Sequence, residues 1–149
     1  IIAWTTLIFA VILYISDKSR FDKKISSNLN FRSILFIGTF QILSLVPGVS
    51  RAGITITAAR ILKFNRVDAS KISFLLSIPA LAGASFLSFK DVLEQTMEFN
   101  YLVAIAIISS FIFSFLTVKF FLIYINRFSM NAFVIYRILI ALFLFYLIY

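Results

Sequence analysis

Four apolar runs, Ile1–Ile15, Ala69–Phe89, Tyr101–Tyr124 and Ala132–Tyr149, leave this chain few ways to satisfy its own backbone. Several of them approach the ~20 residues with which a helix crosses a bilayer. Soluble domains are about half apolar and about a quarter charged, whereas this chain is 62% hydrophobic and only 13% charged. The reading is an integral membrane protein, an all-α polytopic helix bundle, with one membrane domain over residues 1–149. The run Ile1–Ile15 covers only ~22 Å of a ~30 Å hydrocarbon core at ~1.5 Å per residue. It begins without an initiator Met or a charged leader region, so the chain reads as part of a longer protein.

The formal net charge is +8. On a membrane protein such an excess marks cytoplasmic loops and contact with anionic lipid rather than nucleic acid. Cysteine and histidine are both absent. That removes disulfides, thiolate metal sites and the commonest general base and metal ligand. No soluble domain, linker or short repeat stands out.

Between the first two long runs lies a segment of different character. Ser33–Val46 is apolar, Pro47-Gly48 breaks it, and an apolar stretch resumes from Gly53 to Phe64. As helices the two arms are ~21 Å and ~18 Å long, each too short to cross alone. They fit either a re-entrant hairpin over about 33–64 or one long span kinked at Pro47. Loop charge separates the two. The 16–32 loop carries Lys18, Arg20, Lys23, Lys24 and Arg32, the 63–71 region carries Lys63, Arg66 and Lys71, and Arg127 sits in the 125–131 loop beside Lys119. The 90–100 loop holds Lys90 against Asp91, Glu94 and Glu98. Counting Lys and Arg puts the basic loops in the cytoplasm and the 90–100 loop on the periplasmic or extracellular face. Only the hairpin allows this, with crossings at about 1–15, 69–89, 101–124 and 132–149. Small residues at helical spacing, Ser73, Ser77, Ala80, Ala84 and Ser88, and again Ser110, Ser114 and Thr117, suit close helix contact in lipid. Trp4 and Tyr101 fit an interfacial aromatic belt.

The hairpin bend reads Pro47-Gly48-Val49-Ser50-Arg51-Ala52-Gly53-Ile54-Thr55. An arginine at membrane depth is costly and faces a cavity or a counter-charge. Its planar guanidinium suits phosphate oxygens. Gly48 and Gly53 let backbone N–H groups converge, and a helix starting near Gly53 adds its positive end. Ser50 can donate to an anion, or attack phosphorus once a base has taken its proton. Thr55, four residues past Arg51, falls on the same helical face. The competing reading is a structural kink in which Arg51 pairs with an acidic residue on a neighbouring helix. Arg60 and Lys63 either guide a headgroup or snorkel to the cytoplasmic interface.

The stretch "QILSLVPGVSRAGITITAARILKFNRVDASKISFLLSIPALAGA" resembles the second signature region of the undecaprenyl-diphosphate phosphatase family, the bacitracin-resistance proteins. The family pattern, roughly Q-x-x-A-x-x-P-G-x-S-R-S-G-x-T followed by R-x-x-A-x-x-F-S-F-L-L-x-I-P, is met by Gln41, Pro47, Gly48, Ser50, Arg51, Gly53, Thr55, Arg66, Ala69, Phe74, Leu75, Leu76, Ile78 and Pro79. Phe133, Tyr136 and Arg137 resemble its closing F-x-x-Y-R segment. Ala52 stands where the family has a second serine, and Ala141 where it has a glycine. The first family signature, with its carboxylates and histidine, does not occur. The resemblance implies that this chain is the C-terminal portion of an inverted-repeat protein.

It also implies the activity: hydrolysis of the diphosphate anhydride of undecaprenyl diphosphate, giving undecaprenyl phosphate and phosphate. That step recycles the lipid carrier of cell-wall and peptidoglycan synthesis in the bacterial inner membrane and underlies bacitracin resistance. The implied catalytic residues are Ser50, Arg51 and Thr55, and the implied substrate-binding residues are Gly48, Gly53 and Arg60. The expected cofactor is Mg²⁺ or Ca²⁺, with metal-binding carboxylates coming from the other half, so the chain alone is expected to be inactive. Arg137 reads as packing or counter-charge rather than catalysis. Partners are the polyprenyl lipid and membrane lipids, not nucleic acid, and a homodimer is open to it. The alternative from another class is a polyprenyl-phosphate flippase using the same anion cradle, since broken helices are also transporter anatomy.

Overall fold

A computed structural model describes residues 1–18, 22–94 and 101–148. Arg20 of the basic loop and Glu98 of the acidic loop lie outside the described residues. The described chain is all helical: α1 (Ile2–Asp17), α2 (Ile25–Asn28), α3 (Phe31–Ile42), a 3₁₀ turn (Leu43–Leu45), α4 (Arg51–Ile61), α5 (Arg66–Glu94), α6 (Tyr101–Arg127) and α7 (Asn131–Ile148). Two helical stretches, Arg66–Phe89 and Val103–Arg127, are long and apolar enough to cross a membrane. The short helix α2, inside the basic loop, was not foreseen.

Local chemistry sets the helix ends. The Asn30 side chain accepts from the Ser33 N–H at 2.9 Å and so caps α3. Asn65 caps α5 by accepting from the Asp68 N–H at 2.8 Å, and its own amide donates to Asp68 Oδ2 at 3.0 Å. Helix α4 ends in a left-handed residue that is not glycine. Lys63 has φ of 72°, the Phe64 N–H reaches the Ala59 carbonyl at 3.1 Å, and the Lys63 N–H reaches Arg60 at 2.9 Å. This is the double bond pattern that closes many helices.

Helices α3 and α4 fold back on each other. The outer end of α4 is tied to Lys23 of the basic loop: the Lys23 N–H donates to the Lys63 carbonyl at 3.3 Å and the Asn65 N–H donates back to the Lys23 carbonyl at 3.0 Å. The inner ends join through Val46-Pro47-Gly48-Val49. The Val49 N–H closes this turn on the Val46 carbonyl at 3.1 Å, and Gly48 has φ of 93°. Pro then Gly in the central positions is what a type II turn requires. A Cβ on Gly48 would collide with the Thr5 hydroxyl and lie 2.8 Å from the Ile2 carbonyl. Glycine is therefore needed for conformation and for space.

Helix α1 braces the hairpin at both ends. Thr5 donates to the Pro47 carbonyl at 2.7 Å and Thr6 to the Gly48 carbonyl at 3.3 Å. Twelve residues on, or ~18 Å along the helix axis, Asp17 binds the far ends of α4, α5 and α7. It lies 2.7 Å from Arg66 Nε and 3.4 Å from Arg60 Nε, and it accepts from the Met130 N–H at 3.2 Å. Helix α7 runs antiparallel beside α1, as the edge contact of Trp4 with Phe145 shows. The core between these elements gathers Leu13, Ile37, Ile56, Phe64, Ile72, Ile125, Met130 and Val134. Of the small-residue stripes, Ser73 is buried in helix contact, whereas Ala84, Ser88, Ser110, Ser114 and Thr117 are exposed in this chain.

Candidate active site

Ser50 is the cap of α4. Its backbone is extended, with φ of −71° and ψ of 126°, and its Oγ accepts from the Gly53 N–H at 3.2 Å. This holds the serine oxygen at the positive end of the helix, where negative charge is favoured. Ser50 borders a cavity of about 140 Å³ together with Tyr136 and Arg137, both reached from α7. The remaining wall is apolar, built from Leu13, Ile56, Phe121, Met130 and Phe133.

Arg137 is only 6% exposed. Its Nη1 sits 3.1 Å from the point where a Cβ on residue 53 would stand, and Ser50 Oγ is 3.4 Å from that point. Gly53 thus serves by lacking a side chain, which lets a guanidinium lie against the first turn of α4. None of the ion pairs among the described residues involves Arg137. A buried guanidinium with no counter-charge, beside a helix N-terminus and a serine hydroxyl, is a site set for an anion.

The sequence placed Ser50, Arg51 and Thr55 in a single cradle. The structure separates them. Arg51 lines a different space from Ser50, a groove of about 540 Å³ formed with Gly38, Gln41, Ser44, Leu76, Pro79 and Ala80. No acidic partner for Arg51 is found among the described residues, contrary to the kink reading. Gln41 Oε1 is buried beside the same groove without a hydrogen-bond partner among them. Thr55 is 1% exposed and lines neither space. Its hydroxyl is 2.6 Å from that of Ser73 and donates to the Arg51 carbonyl at 2.9 Å.

Arg60 does not take the interfacial position expected of it. It is 1% exposed, so it does not snorkel, and it is held by Asp17 and by the Phe64 carbonyl at 3.0 Å. Lys63 is exposed at the end of α4. Arg137 and Asp17 are the residues that sequence reasoning underrated. Arg137 was visible in the closing Tyr-Arg pair, but only the fold brings it 84 positions back to Gly53. The described residues contain no group of three or more Asp, Glu, His or Cys able to hold a metal ion. Asp17 is engaged by Arg60, Arg66 and the Met130 N–H, and Asp68 by Lys71, the Asn65 amide and the Ile25 N–H. These residues do not fit a Mg²⁺ or Ca²⁺ site.

The profile of the family described as bacitracin resistance protein BacA matches residues 1–143. The chain belongs to the BacA family. Among its curated relatives is an undecaprenyl-diphosphatase of Pelagibacter ubique, 70% identical over 149 residues, which cover all of this chain and 58% of the relative. One from Elusimicrobium minutum is 44% identical over 93% of this chain and 52% of its own length. One from Alcanivorax borkumensis is 41% identical over 95% and 54%. The chain therefore spans little more than half the length of these BacA relatives. With its two crossing-length helices, it is a membrane protein.

Proposed function

We propose that this chain supplies the anion-gripping part of an undecaprenyl-diphosphate phosphatase. Carrying the reading is the buried guanidinium of Arg137, engaged by no ion pair among the described residues, which lies with Ser50 Oγ around Gly53 at the N-terminus of α4. The names of the relatives supply the substrate.

Phosphoryl transfer depends on positioning and on neutralising the charge of the transferred group. Arg137 and the first-turn N–H groups hold the terminal phosphate. Ser50 either donates to a phosphate oxygen or attacks the terminal phosphorus, its proton passing to an oxygen of the substrate's own phosphate as the bond from phosphorus to the bridging oxygen breaks. The leaving lipid phosphate carries away the electron pair, and water then releases inorganic phosphate from the serine. Arg51, from its own groove, reaches charge on the opposite side of the bend. Carboxylates for a divalent cation belong to the part of the full-length protein beyond these residues, so this chain alone is inactive. The apolar wall around Phe121 and Phe133 receives the start of the prenyl tail.

In this reading α3 and α4 enter the inner membrane from the cytoplasmic face and return to it. The Asp17 cluster lies at the cytoplasmic boundary and the turn at 46–49 sits ~18 Å deeper. Phosphate release from undecaprenyl diphosphate by full-length protein in detergent is the test. Ser50→Ala and Arg137→Ala should each abolish most of it while the protein stays folded. Transbilayer movement of the lipid with no phosphate released by the unmodified protein would replace the enzyme with a carrier.

A further inference from the structure

The first turn of α4, which carries Ser50, Arg51 and Gly53, rests on a buried pair of hydroxyls that touches neither cavity. Thr55 and Ser73 are 1% and 4% exposed, and their oxygens are 2.6 Å apart. Thr55 Oγ1 is 2.9 Å from the Arg51 carbonyl and 3.1 Å from that of Ala52, and Ser73 Oγ is 3.5 Å from Ala52. Each helix carbonyl has a second lone pair beyond its main-chain bond. A hydroxyl that binds it fixes the local bend of the helix. With Ser73 donating to Thr55, the Thr55 proton goes to the Arg51 carbonyl, and a continuous chain of bonds runs from α5 into the turn that aims the two functional side chains. Packing explains why residue 73 is small. It does not explain a hydroxyl pointed at Thr55 in an apolar interface, where an unsatisfied polar group is costly.

We propose that Ser73 is a positioning residue for phosphate release, acting through Thr55 on the main chain of Arg51 and Ala52. The role rests on the phosphatase reading above. Displacing reacting groups by about 1 Å costs on the order of 100-fold in rate, and loss of this bond shifts the turn by less than that.

The test uses full-length protein and steady-state phosphate release from undecaprenyl diphosphate. Ser73→Ala should lower kcat about tenfold with KM within about twofold, and Ser73→Thr, which keeps the hydroxyl, should recover most of the rate. Thr55→Val should lose at least as much as Ser73→Ala. The double variant should be no slower than Thr55→Val alone, because the two residues act in series. If Ser73→Ala does not accumulate, Ser73→Cys, a weak donor of similar size, should fall between alanine and wild type in kcat. Wild-type turnover in Ser73→Ala or Ser73→Cys, or losses that multiply in the double variant, overturn the positioning role. If Ser50→Ala is inactive in the same assay, the site itself still stands. Full activity in Ser50→Ala and in Ser73→Ala overturns both.

Discussion

Replacing Asp17 by Asn tests what anchors this bundle. The substitution keeps size and shape and removes one negative charge from a place where two guanidinium groups converge. Asp17 is 2% exposed, and the side chains of Arg60 and Arg66 are 1% and 30% exposed. The two arginines therefore contribute unequally. Arg66, which reaches solvent, can swing outward and relieve its share, so its pair with Asp17 is worth up to about 1 kcal/mol after screening. Arg60 has no such escape, and leaving a buried charge uncompensated costs about 3–5 kcal/mol. The Asn side chain can still accept one bond through its carbonyl, which holds the total near that range. For a protein of this size, 1 kcal/mol shifts Tm by roughly 2–4 °C, so Asp17→Asn should lower Tm by roughly 6–20 °C. The assay is loss of helical circular dichroism on heating full-length protein in detergent. Arg66→Gln should lower Tm by only a few degrees. Asp17→Leu combined with Arg60→Leu should recover a large part of the loss, since replacing both members of a buried pair by apolar groups is often near neutral. An Asp17→Asn protein that melts with wild type, or a double variant less stable than Asp17→Asn, would refute the assignment of Arg60 as a structural charge.

Two further substitutions separate conformation from function. Gly53→Ala puts a methyl group 3.1 Å from Arg137 Nη1 and 3.4 Å from Ser50 Oγ; it should displace the guanidinium and lower kcat/KM several-fold with little change in Tm, and unchanged kinetics would remove Arg137 from the site. Lys63→Gly relieves a left-handed residue, whose strain costs about 1–2 kcal/mol, against about 0.5–1 kcal/mol of extra chain entropy. A Tm rise of up to roughly 6 °C is expected, and a fall would mean that the Lys63 side chain contributes more than its backbone loses.

Much of the helical layout was legible because lipid leaves the backbone no alternative to local hydrogen bonding. The turn could be placed from Pro47-Gly48 because that dipeptide encodes its own geometry. The site was only half legible. Ser50 stood out as a hydroxyl beside an arginine at the Pro-Gly bend, but its place as the cap of α4 did not, since the helix was expected to start near Gly53 and starts at Arg51. The shared cradle failed for two reasons: a single step of about 100° separates Arg51 from Ser50, and Thr55, on the Arg51 face, is buried one turn on against Ser73 of α5. Arg60 and Asp17 are 43 positions apart, and Asp17 and Met130 are 113 apart. No periodicity links them, so the charge at position 60 looked like an interfacial arginine. Arg137 stood out in the closing Tyr-Arg pair, but its place beside Ser50 did not, because that depends on the missing side chain of Gly53.

The two ends of α1 grip the hairpin very differently. At the root, a carboxylate binds two arginines and a backbone N–H, whereas the tip is held to α1 by threonine hydroxyls on the Pro47 and Gly48 carbonyls. Mechanically α4 is a lever with its fulcrum at the charged end. Over an arm of ~16 Å, a tilt of about 5° displaces the far end by roughly 1.4 Å. Small rocking at Asp17 thus reaches Ser50 magnified, and it loosens two neutral hydrogen bonds while every charged contact stays closed.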